Sequence, residues 1–310
     1  MKTNLLVSKQ NLNSFCSTWF SSALSDSFRL IYIEDNPVHS ARDTICVTNH
    51  LDQTCWYQPL VDAGYRLIID HFWDSDLTQT SQVAGNTLTI RNKNWMWYNE
   101  SLWYSYLGYQ NYVPNKNYSK AFLMLMRLSR LHRDNLFDGL RHVLDSALYS
   151  YVDRNIRLAG DIDAGHGDFQ RYFNPSWYDS TSFSVVVESM IDYSPTFISE
   201  KTFKPIAYYH PMVICGTAGS LAYLHQQQFE TFDHIINESY DSIESPTARL
   251  DAVINTVTDL IDKFKYDRRL FDDVVTQEKL EYNHNRFFDK DLILQKINDE
   301  IISEILNFIE

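Results

Sequence analysis

Only four cysteines occur in the chain, Cys16, Cys46, Cys55 and Cys215, and they form no Cys-x-x-Cys pair. So few and so scattered, they exclude a disulfide scaffold or a zinc ribbon and fit reduced thiols in a cytosol. A basic tail is missing as well. The net charge is −13, which repels a phosphate backbone and disfavours tight, non-specific binding to duplex DNA. That charge still leaves room for a local basic patch around one small phosphorylated molecule. No apolar stretch approaches the ~20 residues needed to cross a bilayer. Met1 to Phe20 has no basic start followed by a long apolar run, so no secretory signal is read there. Without a secretory route, the Asn-x-Ser sequons at Asn99, Asn117 and Asn237 carry no information. A cytoplasmic location is expected. Internal repeats and low-complexity segments are also absent.

What is present is an ordinary globular composition. Apolar residues make up 44% and charged residues 22% of the 310, enough for a full core and comfortable for two domains. Aromatic residues reach 15%. Clefts rich in them suit sugars and bases, but bulky cores and half-buried tyrosines account for such a share equally simply.

The first half alternates strand and helix patterns. Phe28–Ile33 and Ile45–Thr48 are short apolar runs ending in polar loops. A helix-compatible stretch over Gln53–Ala63, a stop at Gly64 and a strand over Arg66–Ile69 follow. This succession predicts a βαβ unit with a parallel sheet. Thr87–Arg91 reads as a strand, and an aromatic segment runs from Trp95 to Tyr109. A second set begins near Lys120, with strands predicted over Ala121–Met126, Ala147–Val152, Phe183–Val187 and Met212–Cys215. Helical spacing covers Leu131–Leu144, and helices are expected from about Glu200 and Ser220. From Pro246 to the end the pattern is helical. Leu250, Val253, Ile254, Val257, Leu260 and Ile261 recur at threes and fours, as do Leu292, Ile293, Ile297, Ile301, Ile302, Ile305 and Leu306. The expected fold class is α/β, with two Rossmann-like lobes and a C-terminal helical segment. Ligands of such folds sit outside the carboxyl ends of the strands.

The segment from Phe183 to Arg249 carries the chemistry. Its strand ends at Glu188, and a helix is entered through Ser199, a good N-cap. Glu200 lies in the first turn, where a carboxylate complements the helix dipole; the same helix start can hold a phosphate. Lys201 adds a mobile positive charge. Pro205 lacks an N–H, so the Lys201 carbonyl four residues earlier loses its usual partner. That loosens the turn at the site or simply kinks a packing helix.

A Glu-Lys pair opening a helix, followed by His-Pro, an apolar strand and glycine, resembles the donor-binding signature of fucosyltransferase-like enzymes of the GT-B architecture. The likeness is closer still to viral and bacterial glycosyltransferase-like proteins sharing a longer pattern. That pattern is met here by Glu200, Lys201, Thr202, Phe203, Lys204, Pro205, Ile206, Pro211, Gly216 and Gly219, then by Leu221, Leu224, Phe229, Thr231, Phe232, Glu238, Ser239, Tyr240, Asp241 and Arg249. The resemblance covers roughly the C-terminal 130 residues and is thin over residues 1–115. Ser199 stands where the family has threonine and keeps the capping hydroxyl. The resemblance implies a sugar transfer from a nucleotide-sugar donor, held with Glu200 on the ribose and Lys201 on the diphosphate. Both assignments make chemical sense: a carboxylate accepts two hydroxyl hydrogen bonds, and an ammonium neutralises a leaving diphosphate. If the chain is viral, its cytoplasm is the host's.

Other candidates surround that pair. Arg127, Arg130, His132 and Arg133 follow a strand and open a helix. Arg130 and Arg133, three apart, are chosen for the diphosphate because a guanidinium fork suits phosphate oxygens. A solvated basic helix face is the simpler alternative. Glu188 and Ser189 end a strand, where α/β folds place binding groups; a capping role competes. Glu238, Tyr240 and Asp241 read as a bracing turn. Asp74-Ser75-Asp76 matches the Asp-x-Asp metal motif only cheaply, and the loop with Asp161, Asp163, His166 and Asp168 has no EF-hand spacing. Neither is taken as a metal site, and no cofactor is expected beyond the nucleotide-sugar co-substrate. The general base of an inverting transfer is sought near His50 and Asp52 or near Asp70 and His71, each pair following a strand. Asp52, Asp70 and His71 are the candidates, with no context to choose between them.

The expected organisation is an acceptor-side lobe over 1–115, a donor lobe over 116–283 and a C-terminal helix over 284–310 packing back on the lobes. The acceptor is a glycan or another hydroxyl. A non-catalytic binding or assembly protein of the same fold stays open as a rival, as does a glycosyltransferase acting on modified bases of viral DNA.

Overall fold

The computed structural model describes residues 3–7, 28–32, 44–48, 65–70, 80–92, 94–160, 174–193 and 196–309. The chain divides into two compact units, Met1–Trp103 with Asp289–Glu310, and Tyr104–Phe288.

The first unit holds a six-stranded sheet of β1 (Thr3–Val7), β2 (Phe28–Tyr32), β3 (Thr44–Thr48), β4 (Arg66–Asp70), β5 (Thr80–Ala84) and β6 (Thr87–Arg91). Its order is β2-β1-β3-β4-β6-β5, parallel except for β5. The predicted strands appear within a residue or two of their expected bounds. β1 and β5 are not among the expected strands. β5 turns into β6 through Gly85-Asn86, with Ala84 paired to Thr87 and Gly85 at φ +59°. A two-residue hairpin needs a positive φ there, which glycine adopts without strain. The aromatic segment forms helix α1 (Trp95–Tyr106), with Trp95, Trp97, Tyr98 and Tyr104 buried.

The second unit is built on a four-stranded parallel sheet. Its strands are β7 (Lys120–Met126), β8 (Ala147–Tyr151), β9 (Thr181–Val187) and β10 (Met212–Cys215), in the order β8-β7-β9-β10. All seven residues of β9 are buried, as expected of a strand covered on both faces. In sequence order come α2 (Leu131–Gly139), α3 (Pro175–Asp179), α4 (Glu200–Ala207), α5 (Ser220–Gln226), α6 (Pro246–Tyr266) and α7 (Val274–Phe287).

The expected helix over Leu131–Leu144 divides at Leu140, whose ψ is 1°, and a 3₁₀ turn covers Arg141–Ser146. Leu140 and Val143 are both buried, and three residues per turn bring them to one face. Ser245 and Asp273 cap α6 and α7 by accepting from Ala248 N and Thr276 N. Of the α6 stripe, Leu250, Val253, Val257, Leu260 and Ile261 are buried as the spacing predicts, and Ile254 is half-buried. Phe203 of α4 stacks on Phe287 of α7 at 5.6 Å between centroids.

The C-terminal residues belong to the first unit. Helices α8 (Lys290–Ile297) and α9 (Ser303–Ile309) are joined by a π-helical turn, Asn298–Ile302. The wider turn keeps Ile293, Ile297, Ile301 and Ile305, spaced by fours, on one buried face, with Ile302 buried beside them. Glu300 in the turn accepts from Asn92 Nδ2 at 3.0 Å, Asn94 Nδ2 at 3.2 Å and Tyr98 OH at 2.9 Å. No helix among the described residues is long and apolar enough to cross a membrane.

Candidate functional site

The order of the second sheet reverses between β7 and β9: the chain steps outward one way to β8 and the other way to β10. Connections leaving the carboxyl ends of the two central strands therefore diverge and open a crevice, the usual ligand position in such sheets. After β7 the chain enters α2 by way of Arg127–Arg130; after β9 it enters α4 by way of Glu188–Ser199.

These two connections are tied together by two arginines and a histidine that reach for carbonyls. Arg130 Nη1 donates to Ser189 O at 2.8 Å. His132 Nε2 donates to Glu188 O at 3.0 Å, since a carbonyl can only accept. Burial and the charges of Arg133 and Arg130 lower the His132 pKa, so the ring is neutral at pH 7. Arg133, 3% exposed, donates to Leu128 O at 3.0 Å, Glu188 O at 3.2 Å and Ser189 Oγ at 3.4 Å.

The start of α4 is anchored by Glu188. This carboxylate is fully buried, and its Oε1 accepts from Ser199 N at 3.0 Å and Thr202 Oγ1 at 2.7 Å. Its Oε2 accepts from Ser199 Oγ at 2.5 Å. The Ser199 hydroxyl in turn accepts from Lys201 N at 3.5 Å, the capping contact expected of it. Lys201 Nζ reaches Glu200 Oε1 at 2.8 Å, Ser199 Oγ at 3.1 Å and Ser189 Oγ at 3.3 Å. Its side chain keeps 25% of its surface exposed, against 13% for Glu200.

The electrostatics of the pair follow from this geometry. Burial would raise the Glu200 pKa, but the charges of Lys201 and Lys204 outweigh it and hold the group down to about 2. Burial equally disfavours the Lys201 ammonium, yet Glu200 and Glu188 outweigh it and raise its pKa. Both groups are charged at pH 7.

All seven predicted donor-site residues, Arg130, Arg133, Glu188, Ser199, Glu200, Lys201 and Thr202, thus meet at the carboxyl end of β7 and β9. They divide by burial. Glu188, Ser199, Thr202 and Arg133 are buried and hold the loops, whereas Arg130, Glu200 and Lys201 keep exposed surface. Burial of Arg133 differs from the exposed, phosphate-facing position expected of it, and Glu188 takes the capping role that competes with binding at a strand end.

The remaining pattern residues support this edge. Arg249, 2% exposed, clamps the carbonyls of Gly216 at 2.9 Å and Glu244 at 3.1 Å, and also those of Ile243 and Ile191. Asp241 accepts from Leu221 N and Ala222 N at the start of α5, and Glu238 from Thr231 Oγ1 and Phe232 N. Tyr240 OH accepts from Ile214 N in β10 at 3.1 Å. Gly216 passes close to Glu188: a methyl group there would lie 3.4 Å from the Glu188 Cβ.

Two cavities bear on where a ligand fits. One of about 40 Å³ under α4, between Lys201, Pro205 and the strands, is too small for a nucleotide. A larger one of about 330 Å³ lies against α6, lined by Ile235, Asn237, Thr256, Leu260, Lys263 and Tyr266, and contains none of the predicted site residues.

Asp70 closes β4. His50, Asp52, His71, Asp74, Asp76, Asp161, Asp163, His166 and Asp168 lie outside the described residues. Among the described residues, no three His, Cys, Asp or Glu side chains gather into a metal-sized group.

No family model and no curated protein sequence matches the chain. Among solved structures, an α1,3-fucosyltransferase with GDP-fucose aligns at 10% identity, with a TM-score of 0.51, over 100% of this chain and 90% of that one. An α1,3-fucosyltransferase with GDP aligns at 10% identity, with a TM-score of 0.45, over 94% of this chain and 92% of that one. By the first of these alignments, the chain is similar in fold to an α1,3-fucosyltransferase over nearly the whole length of both proteins.

Proposed function

We propose that the protein is a glycosyltransferase that moves a sugar from a nucleotide-sugar donor to an acceptor hydroxyl, with inversion and without a metal ion. One observation carries the reading. Two cationic side chains with exposed surface, Arg130 and Lys201, converge where β7 and β9 diverge, at the capped start of α4. That arrangement suits a diphosphate: two charges, a helix N-terminus and a crevice of the kind in which α/β folds bind nucleotides. The fold agrees, since its structural neighbour was solved with GDP-fucose.

In this reading Lys201 leaves part of its intramolecular network to meet the diphosphate and stabilises negative charge as the sugar departs. Glu200, ionised at any working pH, accepts the ribose hydroxyls. Glu188, Ser199, Thr202 and Arg133 fix the geometry. The general base is sought among Asp52, Asp70 and His71, and the acceptor is a glycan or another hydroxyl compound.

A nucleoside diphosphate or its sugar ester should raise the melting temperature. At ~100 times its Kd a ligand adds about 2.7 kcal/mol to stability. The screen uses GDP, UDP, ADP, CDP and their sugar esters. No shift with any of them sinks the donor-site reading. Because lysine and arginine carry the diphosphate charge, donor turnover should persist in excess EDTA. Loss restored by manganese or magnesium contradicts the metal-free mechanism.

A further inference from the structure

Two serine hydroxyls sit beside Lys201 Nζ, and their hydrogen bonding differs. A hydroxyl has one proton to donate and two lone pairs to accept with. Ser199 Oγ uses all three: it donates to Glu188 Oε2 and accepts from Lys201 N and Lys201 Nζ. Ser189 Oγ uses two. It accepts from Lys201 Nζ at 3.3 Å and from Arg133 Nη2 at 3.4 Å. Among the described residues no acceptor takes its proton, and the residue is only half-buried.

Both lone pairs are filled by cations, and those cations fix where the proton points. Lys201 approaches Ser189 from the start of α4 and Arg133 from α2. The carbonyl of the same residue is held by Arg130 at 2.8 Å, so the Ser189 backbone cannot swing away. What is left is an O–H beside two positive neighbours, Lys201 and Arg133, neither of which can accept its proton. Such a group donates best to an anionic oxygen.

We infer that Ser189 is a further binding residue for the diphosphate of the nucleotide-sugar, donating its hydroxyl proton to a phosphate oxygen. Arg133 is the positioning residue that makes it do so. The inference rests on the donor-site reading given above. It gives the buried Arg133 a role without contact to the ligand: its guanidinium occupies the lone pair that would otherwise let the Ser189 hydroxyl rotate. It also distinguishes the two serines, since Ser199 has no proton left to give.

The test uses inorganic pyrophosphate, which presents the diphosphate without a base or a sugar, titrated into the full chain and followed by ³¹P NMR. Wild type should bind it, Ser189→Ala should bind about tenfold more weakly, the size of one lost charge-assisted hydrogen bond, and Ser189→Thr should restore most of the affinity. Melting curves confirm that each variant is folded; Thr and Ala bracket the possibility that one is not. If Ser189 served only to prop Lys201, its loss would cost nothing further in a Lys201→Ala background; a direct contact still costs affinity there. Equal pyrophosphate affinity for wild type and Ser189→Ala, or no extra loss in the Lys201→Ala background, overturns the role of Ser189 and leaves the donor site standing. Absence of pyrophosphate binding to wild type overturns the donor site itself.

Discussion

Replacing Lys201 by alanine should lower kcat by ~10²–10³, the cost of losing one preorganised charge at a developing anion. Negative charge on the diphosphate grows as the glycosidic bond breaks, so an ammonium placed there is worth more in the transition state than in the ground state. Glu200→Ala should behave differently. Hydrogen bonds to ribose are made equally before and during the reaction, so their loss should mainly raise the donor KM. The two residues are adjacent and paired at 2.8 Å, which makes this divergence a demanding test. Both side chains keep exposed surface, at 25% and 13%, so neither variant should unfold. Steady-state kinetics with the donor identified by thermal shift separate the two effects. A binding protein of the same fold has no turnover to lose, and wild-type kinetics in both variants contradict the assignment.

Glu188→Ala should be the more damaging change to the fold. Glu188 accepts from Ser199 N, Ser199 Oγ and Thr202 Oγ1. Ser199 is 3% exposed and Thr202 fully buried. Alanine leaves these buried donors without an acceptor, at about 1–3 kcal/mol for each such group. Relief from burying a carboxylate returns part of that, so a net loss on the order of 3 kcal/mol is expected. Glu188→Gln keeps one acceptor oxygen and should lose less. Urea unfolding measures both; a midpoint for Glu188→Ala equal to that of wild type contradicts the anchoring role. The same experiment on donor affinity should show a loss in Glu188→Ala, because the start of α4 is no longer fixed.

The second unit was the more legible part of the sequence, for a physical reason. Parallel strands covered on both faces are continuous apolar runs, and Ala121–Met126, Phe183–Val187 and Met212–Cys215 are such runs bounded by polar loops. Capping was legible too, since Ser199 and Glu200 mark a helix start by chemistry alone. Strand β5 was missed although Gly85-Asn86 is a hairpin signal between two alternating stretches; Thr, Ser and Gln dominate its Thr80–Ala84 run and hide it. The break at Leu140 was invisible because the apolar spacing suits an α-helix and a 3₁₀ turn alike.

In the candidate site, residue types and spacing single out positions that the fold brings together, but burial cannot be read from them. Arg133 and Arg130 look equivalent in sequence, three residues apart. One is enclosed by the carbonyls of Leu128 and Glu188, while the other stands just before α2 and keeps exposed surface. That difference comes from the β9 connection folding over α2, a contact between positions more than 50 apart in the chain. Similarly, the sequence leaves Glu188 open between binding and capping, and the fold turns it inward to hold Ser199.

Hydrogen exchange with and without a saturating nucleoside diphosphate tests the central claim most directly, because it locates the ligand without assuming its chemistry. Amides of the segments 127–133 and 188–193 and of 196–203 should exchange more slowly in the complex, while those lining the α6 cavity around Ile235, Thr256 and Tyr266 should not change. Protection confined to the α6 cavity, or none in the two connections that follow β7 and β9, would contradict a donor site built on Lys201.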